Sequence, residues 1–141
     1  MKREKEREGQ TAIVAGGVVL GNAPAYTGSG TANPAELCSR YCNQLSMSHQ
    51  TTKCAIALAT KTTNTGALAG RSPLSAAAAC IYMAGYLMGE IRSPKDIQGV
   101  AGVSDSTIRH AYKLMWSERE KLVGGDVLGM GADPGRLPKP S

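Results

Sequence analysis

The stretch Ser104 to Lys113, SDSTIRHAYK, holds the chain's best organised polar side chains. At helical spacing Asp105, Ser106, Arg109, His110 and Lys113 fall on one stripe, and Ile108, Ala111, Tyr112 and Met115 on the opposite one. Arg109 is the one long planar donor on the polar stripe. Its guanidinium can bond the O6 and N7 of a guanine together. Lys113, and Lys95 a little upstream, suit phosphate contacts. Ser106 and Thr107 open the helix, where the dipole and free N–H groups attract an anion. Asp105 suits that helix start but repels phosphate. His110 is most simply a surface residue of the same face. The chemistry this set offers is recognition of a nucleic-acid duplex.

Other chemistries fare worse. Cys38 and Cys42 lie one helical turn apart with His49 close in sequence, so a zinc site is conceivable. No Cys-x-x-Cys pair accompanies them, and both thiols fall on an apolar stripe, so buried free cysteines are expected and no metal or cofactor. Cys54 and Cys80 also sit in helical patterns, as in a reducing compartment. The acids Glu36, Glu90, Asp96, Asp105, Glu118 and Glu120 couple to no histidine in an obvious way, so no general acid–base or nucleophilic set assembles. The chain reads as not an enzyme. Ala15 to Gly21, AGGVVLG, lacks the Lys-Ser/Thr ending of a phosphate-binding loop. Trp116 reads as a partly buried anchor.

Several elements must position the polar stripe. Ser104 caps a helix expected from Asp105 to about Lys121. Before it, Ser93-Pro94-Lys95-Asp96 carries a serine cap, a proline at the first helical position and an acid at the third. A short helix to Ala101 and a turn at Gly102-Val103 follow. Ile97, Ala101, Val103 and Ile108 fall where a helix-turn-helix packs its two helices. Gln98 stands where a small residue usually lets them approach. Gly70 to Met88, GRSPLSAAAACIYMAGYLM, reads as a central helix capped by Ser72 and apolar nearly all round. Ahead of it, Asn33-Pro34-Ala35-Glu36 opens a helix to about Ser46, and a second helix runs from about His49 to Thr63. The fold class is all-α, five helices in one domain from Asn33 to Val123. Residues 1–32 read as linker, with Ala12 to Leu20 as a short strand or helical turn, and 124–141 as a flexible tail.

Composition agrees. The 141 residues include no Phe, and aromatics are 4%, so the core must be aliphatic and sulfur-containing. Net charge is +5, and Leu37 to Gly89 holds no acid but carries Arg40, Lys53, Lys61 and Arg71. Such a field favours a polyanionic partner. No signal peptide is evident, and the central helix is too short for a membrane span, so no membrane association is expected; the chain is expected to be a monomer.

Two segments, GRSPLSAAAACIYMA at Gly70 to Ala84 and VAGVSDSTIRHAY at Val100 to Tyr112, resemble the second cyclin-like repeat of the transcription factor IIB family. The resemblance spans about Asn33 to Val123 and continues faintly into Leu137-Pro138. It implies a five-helix cyclin-like repeat whose helix-turn-helix docks in the major groove beside a TATA element. It implies promoter DNA, the TATA-box-binding protein and the RNA polymerase II machinery as partners, and the nucleus as location. Arg109 matches the family's base-contacting arginine. Ser106 matches a position that valine holds in members reading a specific element there. His110 and Lys113 match neighbouring DNA-facing positions, and Arg71 and Ser72 match positions near the DNA backbone. The family's zinc ribbon and first repeat are absent from the sequence, and residues 1–32 resemble the end of that first repeat. The chain thus looks like a fragment or a truncated product. Two alternatives stay open: a cyclin-like protein-interaction module that reads no DNA, and a relative of the RNA polymerase III initiation factor.

Overall fold

The N-cap signals mark where the helices begin. In the computed structural model, which describes residues 33–140, five helices each open on a polar cap. They are α1 (Pro34–Gln44), α2 (His49–Thr65), α3 (Pro73–Met88), α4 (Pro94–Ala101) and α5 (Asp105–Ser117). Ser48, Ser72, Ser93 and Ser104 each accept the N–H three residues on, at 3.3, 3.1, 3.1 and 3.2 Å. Asn33 differs: its Oδ1 accepts from Ala35 N at 2.8 Å, one residue earlier than a capping box with Glu36 requires. Two short helices, α6 (Arg119–Leu122) and α7 (Gly125–Leu128), and a 3-10 turn at Pro134–Arg136 complete the described residues, which contain no strand. The linker, strand or helical turn expected in residues 1–32 lies outside the described residues.

Helix α3 is the core. Eleven of its 16 residues are buried, and α1, α2, α4 and α5 all pack on it. Burial on most sides is what a helix without a polar face requires. Ala76 to Ala79 let the neighbouring backbones close in, while Ile81, Met83 and Leu87 are wholly buried. Truncating any of those three to Ala would cost about 2–5 kcal/mol. Leu74, Tyr82, Tyr86 and Met88 lie toward the surface. Among the described residues no helix is long and apolar enough to cross a membrane.

The link from α3 to α4 does more than connect. Glu90 N donates to Gly85 O at 2.7 Å, folding the chain back over the helix end. A Cβ on Gly85 would stand 2.9 Å from the Glu90 carbonyl oxygen, so only glycine allows that approach. Glu90 then reaches α2, where its carboxylate accepts Ser48 N–H at 2.9 and 3.1 Å and the Thr51 hydroxyl at 2.5 Å. Burial raises its pKa, but the Thr51 and Ser48 hydrogen bonds and nearby Arg92 outweigh that and hold it below the usual carboxylate value. Arg92 donates through Nε and Nη2 to Leu45 O at 3.3 and 3.1 Å, closing the end of α1.

Two expectations change. The fifth helix does not reach Lys121: it ends at Ser117, and α6 follows the break at Glu118. Ser117 contributes by turning its hydroxyl back onto Leu114 O at 2.7 Å. The segment from 124 onward, expected to be a flexible tail, instead packs onto the domain. Val127 is wholly buried. Asp133 N and Arg136 Nη1 both donate to Leu87 O, at 2.8 and 3.1 Å, satisfying a carbonyl that the end of α3 leaves open. Lys61 pairs with Asp126 and donates to Leu122 O at 3.2 Å. Gly and Pro suggested a free tail there; the buried Val127, the Leu87 carbonyl and the Lys61–Asp126 pair hold it down.

Candidate nucleic-acid interface

Helices α4 and α5 carry the site. Gly102 joins them with φ +76°, a left-handed conformation open to glycine at little cost. Ile97 and Ile108 are wholly buried between them and the core, with Ala101 nearly so. Gln98 is exposed, so its side chain stays clear of the helix contact; its carbonyl accepts Gly102 N at 2.9 Å. Ala111, Tyr112 and Met115 form the inner face of α5. The outer face presents Ser106, Arg109, His110 and Lys113, all exposed.

Three aromatic rings tie α5 to the core. Tyr82 of α3 meets Tyr86 and Tyr112 edge to face, with centroids 5.2 and 5.1 Å apart. Burial, then the hydrogen bond with Tyr86, pushes the Tyr82 hydroxyl up to about 12. Burial also raises the Tyr112 hydroxyl, which donates to Pro138 O at 2.7 Å. The C-terminal segment thus braces the inner face of α5 while the outer face stays open. At the far end of α5, Arg119 stacks 3.7 Å over the Trp116 ring and donates to Trp116 O at 2.9 Å.

The outer face is structured at its start. The Ser104 hydroxyl lies 3.2 Å from that of Ser106 and 2.8 Å from that of Thr107, so both residues join the cap. Arg109 Nε pairs with Asp105 Oδ1 at 2.6 Å, one turn away. Spacing alone placed those two on one stripe; that they hold each other is a finding of the structure. Lys95 is exposed near the start of α4. Arg71 is exposed in the turn before α3, and Ser72 is engaged with Ser75 through its cap. Five of the eight expected residues therefore share α5, Lys95 stands on the adjoining helix, and Arg71 and Ser72 mark a separate helix start. Of the four basic residues in the acid-free stretch, Arg40, Lys53 and Arg71 are exposed, whereas Lys61 is tied to Asp126.

The four cysteines are free and buried. A hydrogen bond with Cys80, then burial, raises the Cys38 thiol. Burial pushes Cys42 up to about 11 and Cys54 up to about 12. Cys38, Cys42 and Cys54 are thus neutral packing groups. His49 is exposed, and among the described residues no three His, Cys, Asp or Glu side chains gather as a metal site would need.

Comparison with known proteins places this helical arrangement. A family model described as the transcription factor TFIIB repeat matches residues 28–118. The chain belongs to that family. The match takes in α1 to α5, and the TFIIB repeat of this chain is the all-α cyclin-like unit described above. Proteins named transcription initiation factor IIB are similar to it. That of Schizosaccharomyces pombe is 43% identical over 117 residues, 82% of this chain and 34% of the relative. That of Dictyostelium discoideum is 38% identical over 96 residues, 68% of this chain and 30% of the relative. That of Homo sapiens is 40% identical over 88 residues, 62% of this chain and 28% of the relative. The chain spans about a third of the length of the curated relatives it matches.

Proposed function

We propose that this chain is a DNA-binding repeat of a general transcription initiation factor of RNA polymerase II, acting in the nucleus as a monomer. The supporting observation is the outer face of α5, a capped second helix of a helix-turn-helix whose exposed side chains include Arg109, His110 and Lys113. Its membership of the TFIIB repeat family and its likeness to proteins named initiation factor IIB support the same reading. Arg109 meets a base edge in the major groove. Lys113, Lys95 and Arg71 meet phosphates, and Ser106, Thr107, His110 and Ser72 line the approach. Promoter DNA beside a TATA element is the ligand, and the TATA-box-binding protein holds the repeat in place during assembly with the polymerase machinery. The domain taking part is residues 33–123. It binds and positions rather than catalyses, with no cofactor.

The experiment is binding to a TATA-containing duplex that already carries the TATA-box-binding protein, for the native chain and Arg109→Ala at two salt concentrations. A complex that weakens as salt rises, and by a further 1–3 kcal/mol or so in the variant, is the expected result. Equal binding by both proteins would remove Arg109 from the base edge. No binding by either, at tens of micromolar on the order of non-specific affinities, would overturn the DNA reading in favour of a protein-interaction module.

A further inference from the structure

We infer that Asp105 is a positioning residue for Arg109, aiming the guanidinium at a guanine edge and so setting base selectivity rather than affinity. The inference rests on the DNA-binding reading above. The contact is made through Arg109 Nε, 2.6 Å from Asp105 Oδ1. Among the described residues the two terminal guanidinium nitrogens make no hydrogen bond, and two such donors are what the O6 and N7 of guanine accept together.

The pair is asymmetric. The Arg109 side chain is 65% exposed and Asp105 30%. Asp105 Oδ1 itself is shielded from solvent and accepts no aligned hydrogen bond among the described residues. The Arg109 cation is therefore what balances that carboxylate. An unpinned exposed arginine samples many rotamers and reaches any phosphate within range, and ordering it at a contact costs free energy. The ion pair at Nε confines the side chain close to Asp105 and so lowers that cost. The adjacent negative charge also weakens indiscriminate attraction to phosphate. The acid lies four residues N-terminal to the base, the favourable order on a helix. The Ser104, Ser106 and Thr107 hydroxyls fix the turn that carries Asp105. Arg109 is largely exposed and the pair spans one turn of a single helix, so its loss costs little stability, and a thermal melt of each variant checks that it stays folded.

The test is selection by the full chain from a short duplex pool with randomised central bases, at low salt, followed by sequencing. The chain enriches guanine at one position. Asp105→Asn lowers that enrichment roughly tenfold, the scale of one bidentate base contact, while its binding to the unselected pool holds or tightens. Asp105→Glu restores part of the enrichment. Arg109→Ala abolishes it, and adding Asp105→Asn to that variant changes nothing further. A thermal melt close to native for Asp105→Asn excludes unfolding as the cause. Undiminished guanine enrichment by Asp105→Asn would overturn the inference, as would a native chain that binds duplex but enriches no base. A native chain that binds no duplex would overturn the parent reading itself.

Discussion

Helices α2 and α5 start with the same device and use it differently. Each has a serine cap followed three residues later by a threonine whose hydroxyl turns back onto it: Ser48 with Thr51 at 3.1 Å, and Ser104 with Thr107 at 2.8 Å. At α2 a carboxylate from 42 residues away, Glu90, accepts the Ser48 N–H and the Thr51 hydroxyl and covers the helix start. At α5 the acid belongs to the helix itself, and Asp105 faces Arg109 one turn on. Among the described residues no distant group covers the α5 start. A helix end filled from within the protein holds a fold together, and one left open can meet a ligand.

That contrast predicts a ranking of effects. The largest belongs to Gly85→Ala. Its Cβ would press on the Glu90 carbonyl oxygen at 2.9 Å and displace the loop that brings the carboxylate to α2. A loss of about 1–3 kcal/mol in urea unfolding is expected, as for other overpacked sites. Glu90→Ala should cost about 1–2 kcal/mol by leaving Ser48 N–H and Thr51 unmet.

The pH dependence follows from the same carboxylate. Its folded pKa is lowered, so its stabilisation is present above the unfolded value and fades as pH falls through the folded one. The unfolding free energy should therefore fall less with decreasing pH across the acid range in Glu90→Gln than in the native chain; identical pH slopes would remove Glu90 from the α2 cap. Ser48→Ala and Ser104→Ala should each cost about 1 kcal/mol in stability, yet only the second should weaken binding to duplex DNA in an anisotropy titration. The smallest effect on stability is expected from Asp105→Asn, at well under about 1 kcal/mol. A loss as large as that of Glu90→Ala would mean that the two helix starts are both structural.

The sequence announces local features and is silent on distant ones. Serine followed by proline marked α3 and α4 to the residue, because cap and first turn are chemistry within four positions. The apolar run of α3 told correctly that it is surrounded. Nothing local distinguishes Glu90 from any loop acid, since its partners lie across the fold. The C-terminal segment misled for a related reason: glycine and proline report backbone freedom, whereas Val127, Asp133 and Arg136 are held by sites supplied elsewhere. At the candidate interface the stripe from Ser106 to Lys113 was legible from spacing. The grip of Asp105 on Arg109 was not read, although four-residue spacing of acid and base was its signal.

Trp116 is the single tryptophan of the chain, and it sits at the far end of α5 under the Arg119 guanidinium. The intrinsic emission of the protein is therefore a local optical reporter of the junction between α5 and α6, read without attaching any dye. Excitation selective for indole gives one colour change for one place. Occupancy of the open face can then be followed in real time on the unlabelled protein, and a shift in that signal without a change in helicity would separate a local rearrangement at the helix end from melting of the domain.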